Sequence, residues 1–340
     1  MSKKPKVCLN LEFFRFMGGI FYKDIGTGLL SSYKNQKVIL KRMGVEYTEN
    51  TKDKEYNILH VNLFGPMSLY LVKRDKRKGR KVIGYAHNSP EDMKDVFRFS
   101  NIIAPFFKRW LVYMENQCDI VICPSEYTRK NMANHGVKTP LVAMSNAVDT
   151  KKYSFSAEKR AEGRKSYELN KLTVFSVGLV LPRKSPSTLI KMAKKFQDTD
   201  FIWFGKIYSG AMVKKLPKSL PKNLRFTGFV DDIITAYCSG DIFVFPSHEE
   251  NEGMVILEAA SMGKPLVVRD IPVYEGWLVH GESCFKAKNQ EEFEKYVRML
   301  LKDDNLRKKM GEKALELAQR NSVENIGKKY MKIYSDLLGN

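Results

Sequence analysis

The sequence predicts an α/β protein of two doubly wound, Rossmann-like domains in tandem, and three observations predict it. Short apolar runs that read as strands alternate with helical stretches, the pattern of βα units and parallel sheets. The alternation stops at a polar, charged stretch, 150–170, and then restarts. The chain has 340 residues, 43% of them hydrophobic, which suits two domains of about 150–170 residues better than one core.

The elements follow in order. In the first half the strand runs are KVCLNL (6–11), YNILHV (56–61), KVIGYA (81–86), DIVICP (119–124) and LVAMSN (141–146), with helical stretches at 28–43 and 97–117. The polar stretch reads as a linker, so the first domain spans 1–165. The second domain, 171–320, restarts with LTVFSVG (172–178), DFIWFG (200–205), NLRFTG (223–228), DIFVFPS (241–247) and PLVVRD (265–270). Helices near 290–301, 304–320 and 323–338 close the chain, the last within a separate segment, 321–340. Ligands of such folds sit at the carboxyl ends of the strands, and two such domains facing each other would make a central cleft.

Composition narrows the function classes. The five cysteines are scattered and form no C-x-x-C pair; they read as reduced thiols of a cytoplasmic protein, not as a disulfide frame or zinc site. No run of about 20 apolar residues is present to span a membrane, and the basic-then-apolar start reads as a first strand, not a signal peptide. The net charge is +20. Residues 1–170 hold 31 Lys and Arg against 17 Asp and Glu, whereas 171–340 hold 27 against 21. Such a balance calls for an anionic partner: a membrane surface, nucleic acid or a phosphate-bearing substrate.

The stretch HEENEGMVILEAASMGKPLVV (248–268) carries the chemistry. A strand that reads as buried ends at Pro246–Ser247, Glu250 lies in the following loop, and Gly253 opens a helix. The amides of a helix start favour a phosphate. Glu258, about a turn and a half into the helix, is a carboxylate able to accept from the paired hydroxyls of a ribose. The alternative is that Glu250 and Glu252 are solvated loop acids favoured by the helix dipole, with Glu258 on an exposed face. The acidic pairs Asp231–Asp232 and Asp303–Asp304 each open a helix, where acids suit the dipole, so no metal site is assigned.

The E-x7-E spacing from Glu250 to Glu258, followed by AASMGKPLVV, resembles the donor site of family 4 glycosyltransferases, retaining enzymes of the GT-B fold. Four further segments resemble that family in the right order: FMGGIFY (16–22), CDIVICPSEYTRKNM (118–132), MSNAVDTKKY (144–153) and SVGLVLPRKSP (176–186). The resemblance implies that Glu258 binds the ribose and Glu250 the transferred sugar, beside the amides around Gly253 and Met254. Gly178 would lie at the donor, and Lys184 would neutralise the diphosphate. His87 would face the sugar, and Gly18 and Gly19 would let a loop approach phosphate or acceptor. It also implies a nucleotide-sugar co-substrate, no metal or other cofactor, same-face attack with no protein nucleophile, and a last helix that crosses back onto the first domain. Three positions depart from the pattern. Leu179 replaces an arginine, for which Arg183 is the candidate substitute. Asn251–Glu252–Gly253 replaces G-F-G. Ala147 replaces a glycine, which is tolerable only if that position does not need a positive φ.

The basic half points to the acceptor. KRDKRKGRK (73–81) contributes Lys73, Arg74, Lys76, Arg77, Lys78, Arg80 and Lys81. In 97–117, Ile102, Ile103, Phe106, Phe107, Trp110, Leu111 and Met114 fall at helical spacing, beside Lys108 and Arg109, and Pro105 starts or kinks the regular part. An apolar, aromatic helix with basic flanks can lie in an anionic membrane interface; the same face could instead pack into the domain core. AHNSPEDMKDVFRFSN followed by APFFKRWLVY resembles the branch of the family that glycosylates diacylglycerol glycolipids. That implies UDP-glucose as donor, a glucosyl-diacylglycerol acceptor, and a peripheral position on the inner face of the cell membrane. Three competing readings are the same chemistry on a soluble or polyprenyl-linked glycan, an inactive binding module, and a nucleic-acid-binding protein. The last lacks a helix-turn-helix, zinc-finger or RNA-binding motif.

Overall fold

A computed structural model describes residues 4–12, 28–62, 64–87, 100–207, 217 and 219–339. Gly18 and Gly19 lie outside the described residues. Contacts divide the chain into two units: the described residues up to Ala147 together with Val323 onward, and Val148–Ser322.

Each unit is built on a six-stranded parallel sheet. In the first, β1 (Lys6–Asn10), β2 (Glu46–Thr48), β3 (Ile58–Val61), β4 (Lys81–Tyr85), β5 (Ile120–Cys123) and β6 (Leu141–Ala143) lie in the order β2-β1-β3-β4-β5-β6. The period-2 alternation of a strand sorts its side chains to two faces. Val7, Leu9, Ile58, Ile83 and Ile122 pack with Ile39, Leu40, Ile326, Tyr330 and Tyr334. Cys8, Leu59, Val61, Val82 and Val121 pack on the other side with Leu71, Val72, Leu111 and Met114. The C-terminal helix, Val323–Leu338, belongs to this unit. It seats Gly327 on Met43, where a Cβ would lie 2.9 Å from the methionine sulfur, and ties Glu324 to Arg42 at 2.7 Å.

In the second unit β7 (Thr173–Val177), β8 (Asp200–Phe204), β9 (Leu224–Phe226), β10 (Ile242–Phe245), β11 (Leu266–Arg269) and β12 (Phe285–Ala287) lie in the order β12-β11-β10-β7-β8-β9. The strands are buried almost throughout, as parallel strands covered on both faces must be. The core joins Val174, Phe201, Trp203, Val244 and Val267 to Leu189, Phe293, Val297 and Leu300 of the flanking helices.

Two features differ from the sequence expectation. β2 and β12 are three-residue edge strands that the sequence reading did not mark. The stretch read as a polar linker holds a helix, Ala157–Ser166, capped by Ser156. It belongs to the second unit, which therefore begins near Val148 and not near 165. Only Gly163 is buried in this helix, because a Cβ there would come within 2.9 Å of Ser239 and Thr235. Arg160 and Arg164 anchor it to Asp241 at 2.6 and 3.3 Å.

Candidate active site

In a doubly wound sheet the strand order reverses at one point, and ligands bind there, beyond the carboxyl ends of the two strands that flank it. In the second unit that point lies between β7 and β10. The segment after β7 carries Gly178, Arg183 and Lys184, and the segment after β10 carries Glu250 and Gly253, so the sheet itself brings together residues some 70 positions apart in sequence.

Backbone geometry explains the glycines. Gly178 has φ +133° and its carbonyl accepts from Trp203 Nε1 at 2.7 Å. Gly205 passes so close that a Cβ on it would lie 1.9 Å from the Gly178 oxygen. Gly253 has φ +88° and precedes the helix Met254–Ser261 with no side-chain cap. The Ile256 amide donates to the Gly253 carbonyl at 2.8 Å, while the amides of Met254 and Val255, at the helix start, precede the first intrahelical acceptor.

The charges are paired. Glu250 binds Lys184 Nζ through Oε1 and lies 3.7 Å from Arg183 Nη1. Arg183 Nη1 also donates to the Glu249 carbonyl at 2.8 Å. The Lys184 ammonium stands 4.8 Å from the Phe245 ring centroid, and its carboxylate partner is largely buried. Arg183 thus reaches the same carboxylate as Lys184.

Glu258 is 7% exposed, not a surface acid. Its Oε2 accepts from Tyr237 at 2.6 Å, and Tyr153 supplies a second hydroxyl. Burial pushes the carboxyl upward, while the two tyrosines and Lys152 pull it down. A carboxylate offers about four acceptor positions, so two hydroxyl donors leave capacity for two more. The sequence reading missed both tyrosines, since no local spacing connects 153, 237 and 258.

In the first unit the strand order reverses between β1 and β3. His87, two residues beyond β4, is half-buried and hydrogen-bonds through Nε2 to Asn62 Oδ1 at 3.0 Å. Burial pushes the imidazolium down to about 4, so the ring is neutral at pH 7. Its plane stacks on Tyr85 at 11°, centroids 5.3 Å apart.

The basic surface divides in two. Arg74 and Arg80 turn onto the fully buried Asp75, at 2.8 and 3.3 Å, and are structural, not part of the outer surface. Lys73, Lys76, Arg77 and Lys78 are exposed, and Lys81 is half-buried. In the helix Ser100–Glu115, which contains Pro105, Leu111 and Met114 are buried and Phe107 and Trp110 pack partly against the core. Trp110 Nε1 donates to the Phe64 carbonyl at 2.6 Å. Phe106 and Tyr113 point outward with Met67 and Tyr70, flanked by Arg109 and the half-buried Lys108, and the Lys73 ammonium lies 5.8 Å from the Tyr113 ring. The helix therefore both packs inward and presents an aromatic, basic face. The side chains of Ile102 and Ile103 lie outside the described set. Among the described residues no helix is long and apolar enough to cross a membrane.

The two sheets, each with its reversal point, define a GT-B fold. The solved structure of Anabaena Alr3699/HepE in complex with UDP-glucose superposes with a TM-score of 0.74, over 98% of this chain and 100% of that one, at 16% identity. The family model for glycosyl transferases group 1 matches residues 159–317, and that for glycosyltransferase family 4 matches residues 30–152. The processive diacylglycerol alpha-glucosyltransferase of Acholeplasma laidlawii is 34% identical over 92% of this chain and 94% of its own. The alpha-galactosylglucosyldiacylglycerol synthase of Streptococcus pneumoniae is 25% identical over 92% and 86%. The chain belongs to the family 4 glycosyltransferases.

Proposed function

We propose that the protein transfers glucose from UDP-glucose to a glucosyl-diacylglycerol acceptor, with retention of configuration and without a metal ion, at the anionic inner face of a membrane. The observation that carries this reading is the whole-length similarity to a diacylglycerol glucosyltransferase. The named relatives act on diacylglycerol lipids, and a structural neighbour holds UDP-glucose.

The geometry supports it. Glu258 accepts from the ribose hydroxyls. The diphosphate rests on the first-turn amides of the helix Met254–Ser261, with Lys184 and Arg183 beside it. Glu250 holds the lysine and meets the sugar hydroxyls. The bond from the anomeric carbon to the β-phosphate oxygen breaks as the acceptor oxygen approaches the same face. The acceptor proton passes to the departing phosphate. Charge grows on that phosphate, and fixed cations and amides near it stabilise the transition state more than the ground state. His87 contributes a neutral imidazole to the sugar. The exposed face of Phe106, Tyr113, Tyr70, Lys73, Arg77 and Arg109 seats on the bilayer.

The test is radiolabelled UDP-glucose, UDP-galactose, UDP-GlcNAc or GDP-mannose with anionic liposomes, with and without diacylglycerol and monoglucosyl-diacylglycerol. Label from UDP-glucose in the organic phase, lost in Glu258→Ala and reduced by high salt, is the expected result. No label with any lipid, from protein that still floats with liposomes, moves the acceptor to a soluble or polyprenyl-linked glycan.

A further inference from the structure

The transfer chemistry above leaves unused a row of buried polar side chains that starts on the C-terminal helix and ends at His87. The Tyr334 hydroxyl lies 3.0 Å from His60 Nε2. His60 is fully buried and burial pushes its imidazolium down to about 3, so the ring is neutral; its Nδ1 meets the Tyr85 hydroxyl, whose own proton goes to Tyr330, which leaves Nε2 to accept from Tyr334. The His60 proton then sits on Nδ1, which faces Gln36 Oε1 at 3.4 Å and the Tyr85 hydroxyl at 3.3 Å. Tyr85 can accept there because its own proton goes to Tyr330, at 2.6 Å.

Gln36 is thereby oriented. Its Oε1 accepts from His60 and from Asn62 Nδ2 at 3.2 Å, and its Nε2 donates to Asn62 Oδ1 at 2.5 Å. A second anchor agrees: Asn62 Nδ2 faces the Asn10 carbonyl oxygen at 3.4 Å, an atom that can only accept. Asn62 Oδ1 is therefore the atom turned to His87 Nε2. An amide oxygen accepts, so the neutral His87 ring carries its proton on Nε2, and Nδ1 is its acceptor nitrogen.

We infer that Asn62 is a positioning residue for His87, and that Tyr334 and Tyr330 of the C-terminal helix hold it through His60, Tyr85 and Gln36. The row thus sets which imidazole nitrogen of His87 carries the proton. Every member of the row is neutral, so it sets proton positions without adding charge, and each accounts for the orientation of the next. The inference rests on the reading of His87 as the group that meets the sugar.

The test uses full-length protein labelled with 15N-histidine, whose nitrogen shifts report the tautomer of each ring. The His87 signal is assigned by its loss in His87→Gln. In the wild type His87 is expected as the Nε2–H form. Asn62→Leu removes the acceptor and should populate both tautomers, with kcat lowered about 10–100-fold and the donor KM within about three-fold, since substrate contacts other than this one remain. Asn62→Asp keeps an acceptor, now charged, so Nε2 should stay protonated. Tyr334→Phe deletes one distant hydroxyl and should shift His87 in the same direction as Asn62→Leu, with a smaller loss of kcat. An Nδ1–H ring in the wild type would overturn the inference, as would an unmoved ring in folded Asn62→Leu or wild-type turnover by His87→Gln. Should Asn62→Leu fail to fold, the wild-type tautomer and Tyr334→Phe decide. The tautomer readings need no turnover. A released Nε2–H state in protein that labels no lipid supports the row and sinks the lipid acceptor instead.

Discussion

The two sheets end differently at their reversal points. In the second unit the residues there are charged and paired: Lys184 and Arg183 share Glu250, and Glu258 is held by hydroxyls. In the first unit they are neutral and interlocked: Asn10, Asn62, Gln36, His60 and His87, with tyrosines behind them. One end is suited to meeting a charge that changes during reaction. The other is suited to fixing hydrogen positions before reaction starts. A single topology supports both because the carboxyl end of a parallel sheet supplies direction and burial, while loop residues supply the chemistry.

The largest effect should come from breaking the charged end. Lys184→Ala leaves Glu250, among the described cations, with the more distant Arg183 and removes a cation that we place beside the leaving phosphate. Loss of about 10²–10³ in kcat is expected, the size found when one preorganised donor is removed. Lys184→Arg should recover part of it, because charge survives while geometry changes. Steady-state transfer to lipid checks both. Wild-type kcat in Lys184→Ala would mean that the first-turn amides and Arg183 suffice, and the contrast between a charged and a neutral end would lose its meaning.

Next in size is Glu258→Gln. The substitution keeps volume and removes the charge to which Tyr237 and Tyr153 donate. A hydrogen bond to a charged group contributes about 1.5–3 kcal/mol, so the Kd for UDP by calorimetry should rise about 10–100-fold, with kcat changed far less. Unchanged UDP affinity would reassign Glu258 to holding the two tyrosines together.

The neutral character of the first unit extends to its core. Glu115 is fully buried, among the described residues neither carboxylate oxygen has a hydrogen-bond partner, and burial pushes it up to about 8. Its pKa is higher folded than unfolded, so the folded state binds the extra proton between about pH 4.5 and 8. Stability from this group is therefore present in acid and lost as pH rises through that window. Between pH 6.5 and 8 the wild type should lose about 2 kcal/mol relative to Glu115→Gln, at about 1.36 kcal/mol per pH unit. Denaturant unfolding of both proteins at the two pH values measures the difference. Parallel curves would show that Glu115 ionises in the fold, and that this unit tolerates a buried charge after all.

How much of this the sequence disclosed depends on what each residue signals to its neighbours. Ten strands announced themselves as apolar runs. The helix Ala157–Ser166 did not, because it is polar all round and held by Arg160 and Arg164, with no apolar stripe to give a period. Glu250, Glu258, Gly253 and Lys184 could be singled out because the segments that follow β7 and β10, with the helix that Gly253 opens, carry them at fixed spacings. The row from Tyr334 to His87 could not. Each of its members lies within or beside a run that reads as ordinary strand or amphipathic helix, and only the fold places residues 36, 60, 62 and 334 in contact. Arg74 and Arg80 were misassigned for the same reason: a basic run does not disclose that Asp75 inside it is buried.

The smallest effect concerns the junction at which the first unit ends. Ala147 occupies the position where the resembled motif has glycine, and it adopts φ +63° while 2% exposed. A side chain in the left-handed region costs on the order of 1 kcal/mol. The conformation is held from outside, since Asn35 Nδ2 donates to the carbonyls of both Asn146 and Ala147, at 3.3 and 2.8 Å, and Ser145 Oγ accepts from the Ala147 amide at 3.1 Å. Ala147→Gly keeps those bonds and relieves the strain, but adds chain entropy to the unfolded state. The two terms oppose, so the expected gain is at most about 1 kcal/mol, read as a rise in the denaturant midpoint. Asn35→Ala in the same background separates them. Without its carbonyl clamp, alanine at 147 should leave the left-handed region and glycine should not, so the glycine variant should tolerate loss of Asn35 better. Equal losses in both backgrounds would show that the alanine is not strained there, and that the motif's glycine is dispensable in this chain.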